Sequence, residues 1–394
     1  MFGNRGNQVL LIVAFAAAIC SAGLAKIIVE LLAGQTPQVA EVLTQAPTKS
    51  NLRAFERDLQ DSCWLAQRLR PWMQYVRFIT LRELPEEAVM GRDGWLFYGP
   101  AVQYLIEPLP PQDAGAGGGD IFSAIISFRD QLADRGIELL LVPVPNKASV
   151  YSDMLTKRAS PTDYPVNFKT LAIISHLRQA GTRASQRSAA SQSSIEVVDL
   201  FAVLAQARAA LPPGDRSRYY LSQDSHWSPE GMRLAAQAVG QRILELRWAE
   251  KGRIEYAVQP VTIKRRGDIL RMIQVPQIER QFEREQIGCA QVIDPTTNQS
   301  YQDDPNSEVL VLGDSFLRIY SQDEPGAAGF VAHLARELGF PLASVVNDGG
   351  ASTLVRQQLS RNPSLLANKK VVVWQFVERD IRFGAEGWQI IPLR

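Results

Sequence analysis

Histidine and cysteine are both scarce in this chain: 394 residues hold only His176, His226 and His333, and only Cys20, Cys63 and Cys289. The cysteines have no metal-ligand spacing, which excludes the common zinc and iron–sulfur frameworks. Cys20 falls in an apolar N-terminal segment. Cys63 and Cys289 read as free buried thiols, with a bridge between them as the alternative. Net charge is also lacking, at +1, and the charged residues are scattered rather than blocked. No basic footprint for nucleic acid follows from that balance. The shortage of imidazole is useful, because it leaves few ways to build a serine–histidine pair.

What the chain does have is apolar residues, 46% of the total, enough for one large or two ordinary domains. Residues 9–25 are almost wholly apolar, with Arg5 before them and Lys26 after, and apolar character resumes as far as Ala33. The expectation is an uncleaved signal anchor over residues 1–34 with the N-terminus inside, a cleaved signal peptide being the alternative. Either way the rest of the chain is exported. Residues 35–84 are expected to form a linker and helical neck: a Gln/Thr/Pro/Ala spacer, then helical periodicity from Asn51 to about Leu81. Residues 85–394 are expected to form the main domain.

Within that domain the organising stretch is Val309-Leu310-Val311-Leu312-Gly313-Asp314-Ser315-Phe316. Four consecutive β-formers predict a strand buried on both faces, as in a parallel sheet. It ends at a glycine and leaves the Ser315 hydroxyl at the carboxyl end of the strand, where open α/β sheets keep their sites. Residues 137–144 and 195–200 predict further strands, and Leu342–Val346 and Lys370–Phe376 the last two. Helices are predicted over 122–135, closed by Gly136, over 171–178 with His176, and over 330–338, closed by Gly339. His333, in that last helix, is expected at the surface. The alternation predicts an α/β fold with a mostly parallel sheet. A Gly-rich tract, 115–119, lacks the context of a phosphate-binding fingerprint. Gly91-Arg92-Asp93-Gly94-Trp95-Leu96-Phe97-Tyr98 predicts a turn into an aromatic strand. Residues 255–305 read as an insertion with short β-like runs at 256–264 and 269–273.

The second informative stretch is Tyr219 to Gly231. Ser228-Pro229-Glu230 is a strong helix start: a capping serine, proline at the first helical position and an acid in the first turn. Asp224 and His226 lie on the loop just before it. Residues two apart in extended chain point the same way, so the carboxylate can orient one ring nitrogen and leave the other facing outward. With His226 as base, Ser315 can attack an acyl carbon, and the N–H groups of Ser315 and Gly349 can stabilise the oxyanion. Arg356 is a candidate for positive charge beside them. Lys147, with Asn146 at the end of the strand over 137–144, and Trp227 complete the expected substrate-binding set. Glu378-Arg379-Asp380 read either as a site edge or as a salt-bridged loop. The chemistry implied is acyl transfer, with no metal or cofactor called for.

Four of these stretches, 91–98, Val-Pro-Val-Pro-Asn-Lys over 142–147, Asp-Ser-His-Trp-Ser-Pro-Glu-Gly over 224–231 and Gly-Asp-Ser-Phe over 313–316, resemble the SGNH-like alginate O-acetyltransferases of the AlgJ/AlgX type. The likeness spans roughly residues 85–380, and the motifs come in the family's order, the Asp-x-His pair before the serine. The resemblance implies an SGNH-hydrolase-like fold and a periplasmic enzyme that acetylates hydroxyls of an exported polysaccharide. It assigns Ser315 as nucleophile, His226 as base and Asp224 as its orienting acid. It also implies a membrane-bound O-acyltransferase partner that relays acetyl groups across the inner membrane. A single-domain, anchored member is expected, without the C-terminal carbohydrate-binding module of the AlgX type. Two alternatives stand beside it: a secreted carbohydrate O-acetylesterase, and a non-catalytic polysaccharide-binding assembly subunit.

Overall fold

The computed structural model describes residues 64–393 apart from 108–119, 160–166, 186–194, 213–217 and 384–386, with single positions and short runs before residue 64. The expected anchor falls mostly outside the described residues, as do Cys20, Cys63 and the Gly-rich tract. Among the described residues no helix is long and apolar enough to cross a membrane. The chain divides into two units, residues 1–84 with 274–278, and residues 85–273 with 279–394. The first contains the helix Trp64–Leu81. The second holds the sheet and the stretches 91–98, 142–147, 224–231 and 313–316.

Its centre is a five-stranded sheet in the order β4-β3-β9-β7-β8. The strands are β3 (Glu138–Val144), β4 (Glu196–Val197), β7 (Val309–Gly313), β8 (Ala343–Val346) and β9 (Val371–Val377), and every neighbouring pair is parallel. The reason lies in composition: β3, β7 and β9 are nearly continuous β-branched and aliphatic runs, which suit strands covered on both faces. Side chains alternate between two cores. Leu140, Val142, Val309, Val311, Val371 and Val373 face one, whereas Leu139, Leu141, Leu310, Leu312, Val372 and Trp374 face the other. β4 pairs only with Leu140 and Leu141, so Pro143, which has no N–H to give, lies beyond the end of that ladder. Helices Pro229–Glu245 and Phe330–Leu338 cover the first core, and helix Ile121–Ala133 covers the second.

Two antiparallel strand pairs form separate small sheets. β1 (Ala88–Met90) and β2 (Leu96–Tyr98) pair antiparallel and bury Trp95, Leu96 and Phe97. β5 (Ala257–Arg265) and β6 (Glu285–Ile293) form an antiparallel ladder from Ala257↔Ile293 to Arg265↔Glu285. Two expectations change here. Residues 269–273, read as β-like, lie in the helix Asp268–Ile273, whose Ile269, Leu270 and Ile273 are buried on one side as helical spacing allows. His333, expected at the surface, is 3% exposed, because the helix carrying it packs against Pro229–Glu245 and against β6.

Candidate active site

The sheet's carboxyl edge gathers the loops after β3, β9, β7 and β8 side by side. After β7, Gly313 is required by crowding, since a Cβ there would meet Gln375 Oε1 of β9 at 2.3 Å. Gln375 Oε1 in turn accepts from the Asp314 N–H at 3.2 Å, and the Asp314 carboxylate caps the next turn by accepting from Phe316 N at 2.9 Å. Ser315 therefore opens a one-turn helix, Ser315–Arg318, and its N–H has no acceptor within that turn.

The loop carrying Asp224 and His226 is held at both ends and from beneath. Ser228 caps the helix Pro229–Glu245 by accepting from Gly231 N at 3.2 Å, and Tyr220 and Trp227 pair across the loop. Beneath it, Lys147 Nζ donates to the carbonyls of Leu221, Ser222 and Asp224 at 2.9, 3.0 and 2.8 Å. Burial pushes that ammonium down to about 7, against the pull of Asp224, Glu285 and Asp268. So Lys147, expected to hold a ligand, is spent on the backbone of the loop.

The three residues proposed for acyl transfer meet. His226 Nε2 lies 2.8 Å from Ser315 Oγ, and Nδ1 lies 2.6 Å from Asp224 Oδ1. Asp224 is fully buried, and its other oxygen accepts from Arg265 Nε and from the Asp268 N–H, each at 3.1 Å. Burial alone would raise the Asp224 carboxyl; the imidazole beside it and Arg265 instead hold it well below the usual carboxylate range. Burial likewise opposes charge on His226, yet Asp224 and then Asp268 carry it up to about 9. The imidazolium that forms when a serine gives up its proton is thus stabilised where it forms.

A cleft of about 300 Å³ opens over Ser315. Gly349 and Gly350 line it from the β8 loop, Tyr98 and Gln103 from the β2 side, and Arg379 and Asp380 from the end of β9. Of the charged run at 378–380, the second and third residues are therefore the site edge. Glu378 is instead fully buried, accepting from Asn146 N, Ser149 Oγ and Thr170 Oγ1 at 2.8, 2.7 and 2.9 Å. The Arg379 guanidinium sits over the rings of Tyr98 and Phe316, 5.1 and 5.9 Å from their centroids. Burial raises Asp380 to about 7, Asp314 adding to that and Arg379 opposing it.

The remaining expected site residues lie elsewhere or are engaged. The Gly349 N–H donates to Asn347 Oδ1 at 2.9 Å, so it is already engaged by the Asx turn. Arg356 is fully buried in the second core, over Trp374 at 5.0 Å and Phe128 at 5.9 Å, its Nε bonded to Ser352 O. Burial pushes it down to about 10. Trp227 is also fully buried, stacked on Phe330 at 5.6 Å and edge-on to Phe316 at 5.2 Å, and so props the elements that carry His226 and Ser315. Asn146 does not line the cleft: it is buried, with its side-chain amide atoms unpaired by other described residues.

Asp268 and Arg265 were not expected at the site. Their one sequence signal was their place in the insertion over residues 255–305. Asp224, His226 and Asp268 are also the one His/carboxylate group among the described residues with atoms close enough, within 4.8 Å, to share a cation. Hydrogen bonds consume that donor set: Arg265, three backbone N–H groups, the Ser225 hydroxyl and the imidazole take up the carboxylate oxygens.

Comparison with known proteins places the chain. Residues 88–378 match the family model described as the SGNH hydrolase-like domain of the acetyltransferase AlgX. The probable alginate O-acetylases AlgJ of Pseudomonas putida and Pseudomonas aeruginosa are 28% and 27% identical over 155 and 157 residues. Those stretches are 39% and 40% of this chain and 33% of each relative, so the match spans about a third of their length. Among solved structures, the O-acetyltransferase domain of P. putida AlgJ aligns with TM-score 0.53 at 22% identity, over 76% of this chain and 93% of that one. AlgX of P. aeruginosa aligns with TM-score 0.52 at 18% identity, over 76% and 62%. At such identities the two structures show the shared fold.

Proposed function

This chain belongs to the SGNH hydrolase-like, AlgX acetyltransferase domain family, and on that premise we propose that it transfers acetyl groups through Ser315 onto hydroxyls of an exported polysaccharide. The observation that carries the reading is the unbroken hydrogen-bond line from Ser315 Oγ through His226 to Asp224, at the floor of a cleft. Ser315 Oγ attacks the acetyl carbonyl carbon while His226 Nε2 takes its proton. The oxyanion forms beside the Ser315 N–H, and collapse expels the donor's leaving group, which recovers the proton from His226. A sugar hydroxyl then gives its proton to His226, attacks the acetyl-serine and leaves as the ester, restoring Ser315. Asp224 stays ionised throughout, holding the ring and balancing its charge.

The names of the AlgJ relatives, alginate O-acetylases, support a polysaccharide acceptor in the periplasm. The apolar segment before residue 34 supports attachment to the inner membrane, with residues 85–394 as the catalytic domain. Acetyl-CoA is cytoplasmic, so the donor reaches this side through a membrane-bound O-acyltransferase. Incubating the protein with an activated acetyl ester, with and without glycan oligomers, tests this by mass spectrometry. An acetyl group on Ser315 that passes to the glycan, and is absent in His226→Ala, is expected. An adduct that only hydrolyses would make the protein an esterase, and the lack of any adduct would sink the catalytic reading.

A further inference from the structure

We propose that Asp268 is a positioning residue of the same reaction, joining Asp224 in a two-carboxylate seat that orients His226 and its proton; this rests on reading His226 as the base. Asp268 reaches each residue of the 224–226 turn. Its backbone N–H donates to Asp224 Oδ2 at 3.1 Å. Its Oδ1 accepts from the Ser225 N–H at 2.6 Å, and its Oδ2 accepts from Ser225 Oγ at 2.5 Å. The same Oδ2 lies 3.3 Å from His226 Nδ1, behind Asp224 Oδ1 at 2.6 Å.

Delivery of this carboxylate is built into the chain. β5 brings Arg265 to Asp224, and Gly267 then lets the backbone close on the loop, since a Cβ there would stand 1.9 Å from Gln223 O. Asp268 follows at 8% exposure. Asp224 alone divides its oxygens among the imidazole, Arg265 and two backbone N–H groups. A second carboxylate restores negative charge on the Nδ1 side when the imidazolium forms.

The other charged groups facing His226 come from three directions. Asp314 precedes Ser315, Lys147 holds the Asp224 carbonyl, and Arg379 lies across the Phe316 ring that His226 contacts at 4.6 Å. Among the described residues none of them forms a hydrogen bond or ion pair with Nδ1, which meets only the carboxylates of Asp224 and Asp268 among charged groups.

Histidine NMR reads the seat directly in the full chain, where three imidazoles give three titrations and His226→Gln assigns the relevant one. In Asp268→Asn, the His226 pKa is expected to fall by about one unit, roughly a tenfold loss of proton affinity. The acidic limb of kcat should follow it downward while KM stays put. A folded Asp268→Asn protein whose His226 titrates as in the wild type overturns the proposal. Should that variant not fold, Ser225→Ala decides. It removes the donor that shares Asp268 Oδ2, so the proposal expects the His226 pKa to rise, and an unchanged or lower value overturns it. The titration needs no turnover. A shifted His226 pKa in a protein that never acquires an acetyl group would refute acyl transfer and still support the seat.

Discussion

His226 and His333 are buried to the same depth, 4% and 3% exposed, and are driven in opposite directions. Carboxylates of Asp224 and Asp268 carry His226 up to about 9 against burial. Burial takes His333 down to about 4; the bond from its Nε2 to Ala290 O, at 2.9 Å, opposes that only in part, and Arg233 and Arg336 push the same way as burial. A buried imidazole is thus a base or an inert donor according to its neighbours' charge, not its depth.

The largest test of this difference is activity. Ser315→Ala, His226→Gln and Asp224→Asn should each cost about 10⁴-fold or more in acetyl transfer, whereas His333→Gln should leave it within a few fold. Rates of glycan acetylation at saturating donor decide it. Equal losses in His226→Gln and His333→Gln would erase the functional contrast.

Much of this contrast was legible in the sequence, and what was not shows where local reading stops. β3, β7 and β9 announce themselves because a strand buried on both faces needs an unbroken apolar run. Gly313, Ser228 and the Asp224/His226 pair follow from neighbouring residues, and the structure places them as those residues require. Asp268 did not follow, since it meets Asp224 from 44 positions away and only the β5 path brings them together. Lys147 was placed at the right strand end with the wrong direction, because a side chain's aim depends on what passes beneath it. His333 sits in the run Phe330-Val331-Ala332-His333-Leu334-Ala335, and a helix clasped on two sides buries even its polar member. Arg356 shows the same limit: a long cation beside a glycine turn reads as a site residue, but its aromatic platform lies in the other core.

Stability against pH gives the next test, about 3 kcal/mol at each histidine as an upper bound. His226 has a folded pKa above its unfolded value. Its contribution is therefore fully present below about pH 6.5 and lost as pH rises through about 9. His333 is the reverse: its folded value is depressed and protonation opposes the fold, so its contribution is present above about 6.5 and lost as pH falls through about 4. Urea midpoints across pH 4 to 9 should flatten on the alkaline side in His226→Gln and on the acidic side in His333→Gln, on the order of a unit's span each. Parallel slopes in the two variants would break the comparison.

Lys147→Met comes third, at about 2–3 kcal/mol, through three buried carbonyls left without their donor. Among the described residues no lysine or arginine donates to the carbonyls of the His333 helix as Lys147 does to the loop, so the damage should stay local. Hydrogen exchange is expected to speed up at residues 219–227 and stay near wild type at 330–338. Uniform loosening of both regions would show that Lys147 supports the core rather than the loop.

The smallest effect separates the two helices at their first residue. Ser228 caps Pro229–Glu245 with its hydroxyl, whereas Gly329 begins Phe330–Leu338 with no side-chain cap, a Cβ there meeting Ser321 Oγ at 2.0 Å. The loop before the first helix carries the base and needs a fixed exit. The stretch before the second needs only to fit. Ser228→Ala should cost about 1 kcal/mol, a fall of roughly 1–2 °C in Tm for a domain this size. Because the lost bond lies two residues from His226, kcat should drop a few fold with KM nearly unchanged. A melting shift with no change in kcat would mean that the helix end holds the fold but not the angle of the imidazole, leaving Lys147 and Asp268 to set that angle between them.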